Sequence, residues 1–179
     1  MPEHERHPKD DLPIIAFEDD AAWEGWLEEN HAGSRGVWIK TAKKKTGIPT
    51  VTHAEALDTA ICFGWIDGQR HPYDDTYYLQ RFTPRTRRSK WSQVNVKKAE
   101  ALIGAQRMRP AGHAQIEAAK ADGRWAAAYE PQSRATVPAD FQAALDDNPD
   151  AKAFFATLTG VNRYSFLYRI QNAKRPETR

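Results

Sequence analysis

Apolar and polar positions alternate along this chain with two clear periods. In AAWEGWLEENHAG, Trp23, Trp26, Leu27 and Asn30 fall at helical spacing. Glu18, Asp19 and Asp20 stand where the positive end of a helix dipole favours acids, and Gly33 is placed to end the helix. Residues 36–42, GVWIKTA, switch to a period of two, with Val37, Ile39 and Thr41 on one side and Trp38, Lys40 and Ala42 on the other, which predicts a strand. KKKTGIPT then reads as a basic loop, and Thr52 followed by Glu55 forms a capping box for a helix over 53–63 with Leu57, Ala60 and Ile61 facing inward.

GWIDGQR, HPYDD and TYYLQRF follow: two runs of strand composition around a run of turn composition, a hairpin over 64–82 with a five-residue connection. Pairing Arg70 with Thr76 sets Asp67 opposite Leu79 and Trp65 opposite Arg81. Trp65, Asp67, Tyr77 and Arg81 then share one face, and Ile66, Gly68, Tyr78 and Phe82 the other. A slip of one residue reverses this assignment. After the polar, basic TPRTRRSKWSQ, helices are expected over 94–108, 111–122, 138–146, 149–159 and 162–174, with Ser92, Asn95 and Asn148 available as caps and Pro138 and Pro149 near helix starts. The fold class is α+β: a small antiparallel sheet of strand 36–42 and hairpin 64–82, packed by helices, then a helical C-terminal half. Residues 1–13 read as a mobile leader. Residues 14–179 read as a single domain with a sheet-containing part (14–109) and a helical part (110–179).

Composition narrows the class further. With 179 residues, 40% of them hydrophobic and 28% charged, the chain is far from disordered composition, and it has no apolar run as long as the ~18 residues of a membrane span. Cys62 is the single cysteine, so no internal disulfide can form. Beside Ile61 and Phe63 it reads as a small core residue. Charges and prolines occupy the place of a signal-peptide core in MPEHERHPKDDLPII, which makes the cytoplasm the expected compartment. The net charge of +2 conceals a polarised chain: residues 1–33 carry −8 and residues 34–109 carry +9. Between Thr76 and Ala99 stand seven basic residues and no acid. Such a run attracts phosphates, other anions or an acidic partner, or else forms a surface neutralised by the acidic N-terminal segment.

The strings ALDTAICFGWIDG (56–68), YYLQRFTPRTRRSKWSQVN (77–95), AKADGRWAAAY (119–129) and NAKRPETR (172–179) resemble the YdeI/OmpD-associated, or bacteriocin-protection, family, and the resemblance runs from about Trp23 to the last residue. It implies a bacterial protein with a protective or stress role, carries a link to the envelope, and brings no enzymatic activity. Proteins of this kind often continue past PETR with another basic helix.

Phosphate-loop, dinucleotide, zinc-protease and nucleophile-elbow motifs are absent, and the six histidines (4, 7, 31, 53, 71, 113) lack ligand spacing, so neither a metal nor a cofactor is expected. The chemistry-bearing residues gather around the hairpin: Trp65, Asp67, Tyr77, Arg81, Thr83, Arg85, Ser89, Trp91 and Asn95. Arginine forks, hydroxyls and flat indoles make up an anion or nucleotide pocket, in which Arg81, Arg85 and Ser89 hold the charge and Trp65 or Trp91 lines the apolar side. Alternatively Asp67 and Arg81 form a cross-strand ion pair, Trp65 and Trp91 fill the core, and Ser89 and Asn95 are turn or cap residues. Three functions follow. One is binding of a small anionic or phosphate-containing ligand, with Asp67 as a general base if a reaction occurs. The others are nucleic-acid binding through the basic 81–98 region with Trp91 stacking on a base, and protein contact in a protective role.

Overall fold

The computed structural model describes residues 4–173 and 175–179, so the expected helix end at residue 174 and the first three residues of the leader lie outside the described residues. The chain divides into two compact units. One holds the chain up to Ser89 together with Lys97–Trp125, and the other holds Lys90–Val96 together with Ala126–Arg179.

The first unit contains β1 (Ile14–Ile15), α1 (Asp20–Asn30), β2 (Val37–Ala42), α2 (His53–Cys62), β3 (Trp65–Pro72), β4 (Tyr77–Pro84), most of α3 (Gln93–Gly104) and α4 (Pro110–Ala121). The sheet order is β1-β2-β4-β3. β2, β4 and β3 are antiparallel as expected, and β1 adds a short parallel strand at one edge, so the sheet is mixed. The helix starts obey the local code. The Asp19 carboxylate accepts the Ala22 N–H at 2.8 Å, and Thr52 and Glu55 form the full capping box at α2.

The hairpin register differs from expectation. Asp67 pairs with Phe82 and Trp65 with Pro84; the strands run on to Pro72 and resume at Tyr77, leaving a four-residue connection, 73–76. Moving Asp67 from Leu79 to Phe82 is an odd shift, which exchanges faces. Trp65 and Asp67 therefore share their face with Tyr78, Gln80 and Phe82, while Tyr77, Arg81 and Thr83 lie on the other. Two features displace the register: HPYDD has turn composition although His71 and Pro72 pair with Leu79 and Tyr78, and a bulge separates Asp67 from Arg70. Pro72 lacks an N–H but is tolerated because β3 is an edge strand.

Each face is covered by a different layer. On one, Val37, Ile39, Trp65 and Phe82 are buried with Trp23 and Leu27 of α1 and Ala56, Ala60 and Ile61 of α2. Trp23 is central to it: its ring lies 5.6 Å from Phe82 and its indole N–H donates to the Ala56 carbonyl at 3.1 Å. Gly112 of α4 passes so close to the end of α2 that a Cβ would overlap the Cys62 carbonyl and Met108 Sδ. On the other face lies the segment read as a leader. Leu12 and Ile14 cluster with Trp38 and Leu79, and His7 stacks on the Trp38 indole at 4.3 Å. Asp10 clasps this segment down: its carboxylate accepts the Trp38 indole N–H at 3.1 Å and stands 3.1 Å from both Arg81 Nε and His7 Nδ1. Burial opposes its ionisation, but the Trp38 and Leu12 N–H groups and the Arg81 and His7 charges outweigh that and hold the Asp10 carboxyl below its ordinary value.

In the second unit, α5 (Ala139–Asp146), α6 (Pro149–Thr157) and α7 (Gly160–Asn172) enclose Leu145, Phe155 and Leu167. Asn148 caps α6 through the Ala151 N–H at 3.0 Å. The described residues 110–179 contain no strand, in line with the expected helical C-terminal half.

Two outcomes test this account. Gly112→Ala should lower stability by about 1–3 kcal/mol through overpacking against α2, although alanine favours a helix interior by ~1 kcal/mol; a thermal melt measures the sign. A carboxyl whose folded pKa is depressed stabilises the protein above its unfolded value, ~3.9, and loses that contribution as pH falls through the folded value. Asp10→Asn should therefore lower the melting temperature at neutral pH and weaken its fall through the acidic range.

Candidate functional site

The nine residues expected to form one site separate. Trp65 is buried, its indole N–H donating to the His31 carbonyl at 3.2 Å, and it is a core residue. Arg81 is bound to Asp10 across the sheet face that carries Tyr77 and Thr83; the expected Asp67–Arg81 pair does not form, because the register places them on opposite faces. The Tyr77 ring lies beneath the Lys40 ammonium at 4.6 Å. Arg85 is buried, with its backbone N–H on the Gly64 carbonyl at 3.0 Å. Ser89 closes a turn, its Oγ accepting the Thr86 N–H at 3.0 Å. Trp91 and Asn95 are buried in the second unit, where Ser92 Oγ accepts the Asn95 backbone N–H, so Ser92 rather than Asn95 acts as the cap.

Asp67 contacts a residue that lines a cleft. Its Oδ2 lies 3.0 Å from His53 Nε2, at the first residue of α2. His53 lines a cleft of about 600 Å³ walled by Thr41 and Ala42 at the end of β2, by Lys43, Lys44, Gly47, Ile48 and Thr50 of the following loop, by Thr52 and Ala54, and by Arg70 and Tyr78. That volume suits a small molecule. Three cations line it and no carboxylate does; Asp67 stands behind His53.

Arg70 reaches this cleft because of the bulge. Between Asp67 and Arg70 β3 advances three residues while β4 advances two, so Arg70 projects to the same face as Asp67 when strict alternation would send it to the opposite one. The bulge is tied by Gln80, a buried amide whose Nε2 donates to the Gly68 and Gln69 carbonyls at 2.9 and 3.3 Å and whose Oε1 accepts from Arg70 Nε at 3.2 Å. Tyr78 supports the guanidinium from below, 4.5 Å from ring centroid to Arg70 Cζ. His53, Arg70 and Lys44 are thus the residues that the sequence reading missed. The available signal was Gly68 inside a strand run, where a glycine often marks a bulge.

Of the seven cations between Thr76 and Ala99, several are engaged internally: Arg81 by Asp10, Lys98 by Asp58 and Lys90 by Asn172. Farther along, Arg107 meets Asp20, and Arg109 meets Glu24 and Glu28. The acidic N-terminal segment is the counter-charge of the basic middle. Cys62 is buried, and burial pushes its thiol up to about 11, as befits a core side chain. Among the described residues, no group of three or more His, Cys, Asp or Glu is placed to hold a metal ion, and no helix is long and apolar enough to cross a membrane.

Gln80→Met should cost about 1–3 kcal/mol by leaving the bulge carbonyls and the Arg70 guanidinium without the amide, and chemical denaturation measures it.

Comparison with known proteins places these features. Residues 15–115 match the family described as Domain of unknown function (DUF8412), and residues 134–179 match the family described as Bacteriocin-protection, YdeI or OmpD-Associated. Searches of curated proteins and of solved structures returned no match. With more than half of its length matched by the first of these, the chain belongs to the family described as Domain of unknown function (DUF8412), and its C-terminal segment is similar to the bacteriocin-protection, YdeI or OmpD-associated family.

Proposed function

We propose that the protein binds a small organic anion, carboxylate- or phosphate-bearing, in the cleft between the loop 43–50, the start of α2 and the bulged strand β3. The observation that carries this reading is the composition of the wall: Lys44 and Arg70, with Lys43 donating to the Asp74 carbonyl at 2.8 Å, and no carboxylate among the lining residues. Arg70 is the specific element. A guanidinium held at Nε by Gln80 and supported on Tyr78 keeps its outer N–H groups in a fixed fork, the geometry that carboxylate and phosphate oxygens accept. Ala42, Ile48 and Ala54 supply apolar wall for the body of the ligand.

The nucleic-acid alternative draws on the 81–98 run, in which Arg81, Lys90 and Lys98 are committed to partners within the chain, and it gains less support than the cleft does. The protective role named by the second matched family attaches to residues 134–179 and assigns nothing to the cleft.

Calorimetric titration at low salt with pyrophosphate and with citrate tests the proposal. Binding is expected to weaken about ten- to a hundred-fold in Arg70→Ala, the loss of one or more charge-assisted hydrogen bonds worth ~1.5–3 kcal/mol, with the melting temperature of the free protein little changed. Arg87→Ala, at an exposed position outside the cleft, should leave binding as it is. Equal losses in the two variants, or no heat with either anion, would sink the reading.

A further inference from the structure

His53 and Asp67 form a hydrogen-bonded pair beside this cleft. Asp67 Oδ2 lies 3.0 Å from His53 Nε2. An ionised carboxylate only accepts, so the neutral imidazole donates Nε2–H to it and Nδ1 keeps the lone pair. Both residues are held by ordered structure: His53 by the first turn of α2, directly after the Thr52–Glu55 capping box, and Asp67 by its pairing with Phe82, whose ring lies 6.3 Å from the imidazole. A carboxylate that fixes the tautomer of a histidine and stabilises its protonated form is the supporting half of a general base.

The lining leaves little room for a covalent nucleophile. The Thr41 side chain is buried, the Thr50 hydroxyl accepts the Ala42 N–H, the Thr52 hydroxyl is engaged in the capping box, Cys62 is in the core, and no serine lines the cleft. Both side chains of the pair are about one-third exposed, 32% and 27%, so water reaches the base. This accessibility favours chemistry with water over carbanion chemistry, which needs water excluded.

Resting on the anion-binding reading above, we propose that the cleft hydrolyses small carboxylic esters that carry a second, negatively charged group. His53 Nδ1 takes a proton from water as the water oxygen bonds to the ester carbonyl carbon. The tetrahedral intermediate then expels the alcohol, the carbon–oxygen bond breaking with its electron pair on the leaving oxygen, and the imidazolium returns its proton to that oxygen. The net change is addition of one water to give an acid and an alcohol, with no oxidant or reductant. Arg70 and Lys44 hold the distal charge, and Asp67 is a positioning residue.

The test is steady-state hydrolysis by the full chain of the mono-4-nitrophenyl ester of adipic acid, with neutral 4-nitrophenyl acetate as comparator and pyrophosphate calorimetry alongside. His53→Gln should lower kcat/KM at least a hundred-fold and abolish the acid limb of the pH–rate profile. Asp67→Asn should lower kcat at nearly constant KM, with partial rescue in Asp67→Glu. Arg70→Gln should raise KM for the adipate ester alone. A wild-type rate equal to that of His53→Gln at every pH, with pyrophosphate still bound, overturns the catalytic proposal and leaves the binding reading intact. Hydrolysis that depends on His53 but shows no preference for the charged ester and no pyrophosphate binding overturns the anionic substrate class together with that reading. If His53→Gln melts early, the Asp67→Asn and Asp67→Glu pair and the wild-type pH profile decide the matter.

Discussion

A primary amide buried in the middle of a sheet must find partners for both of its ends, and Gln80 finds them in a place that shapes the rest of the site. Its N–H groups bond the carbonyls that the bulge in β3 turns out of the ladder, and its oxygen receives the Arg70 guanidinium. Without an extra residue in β3, Arg70 would project toward the face covered by the N-terminal segment. With it, the guanidinium stands beside the His53–Asp67 pair. One local irregularity thus decides which cations share a cavity with which histidine, and the amide that satisfies the irregularity also orients the most directional of those cations.

The same sheet shows how part of the basic charge is matched within the chain. Its outer face is closed by residues 4–13, which would expose Trp38 and Leu79 if they were absent. The clasp that holds them combines an indole N–H, an arginine and a histidine on the single carboxylate of Asp10. With the pairs from Arg107 and Arg109 to α1 and its first residue, the acidic start and the basic middle of the chain are matched inside one unit. Exposed ion pairs of this kind contribute little individually, but they offset part of the charge separation that the linear pattern implied. The wall of the cleft holds no carboxylate, although one of its cations, Lys43, donates to the Asp74 carbonyl at 2.8 Å.

What was legible in the sequence were the features fixed by short-range chemistry. Thr52 with Glu55, Asn148 before Pro149, and the alternation of Val37, Ile39 and Thr41 against Trp38 and Lys40 each depend on residues within one turn or one strand, and each reads correctly. The hairpin did not, because its register depends on where pairing stops and on one extra residue, and neither has a strong local signal. HPYDD carries turn residues although His71 and Pro72 are strand. Asp67 is a candidate from its residue type and place in the hairpin, but its partner was assigned by that register and so fell on Arg81. The true partner, His53, lies fourteen residues away on a helix, a contact only tertiary packing creates. The coverage of the outer face was hidden for a related reason: a segment of charges and prolines has leader-like composition, and nothing local shows that His7 and Leu12 meet Trp38 and Leu79.

The two family matches fall differently on the compact units: the first includes residues 90–96 of the second unit, whereas the second match lies in that unit alone. The region 15–115 contains β1 through the start of α4 and every residue of the cleft, while 134–179 lies wholly within the second unit and contains none of it. A name earned by the C-terminal helices therefore carries no information about the cleft chemistry. That chemistry must be argued from the bulge, the amide and the histidine alone. It also follows that the two parts are separable in experiment: substitutions at Arg70 or His53 interrogate the first unit with the packing around Leu145, Phe155 and Leu167 untouched. An effect of the C-terminal helices on a cellular phenotype would persist in those variants, whereas an effect of the cleft would vanish with them.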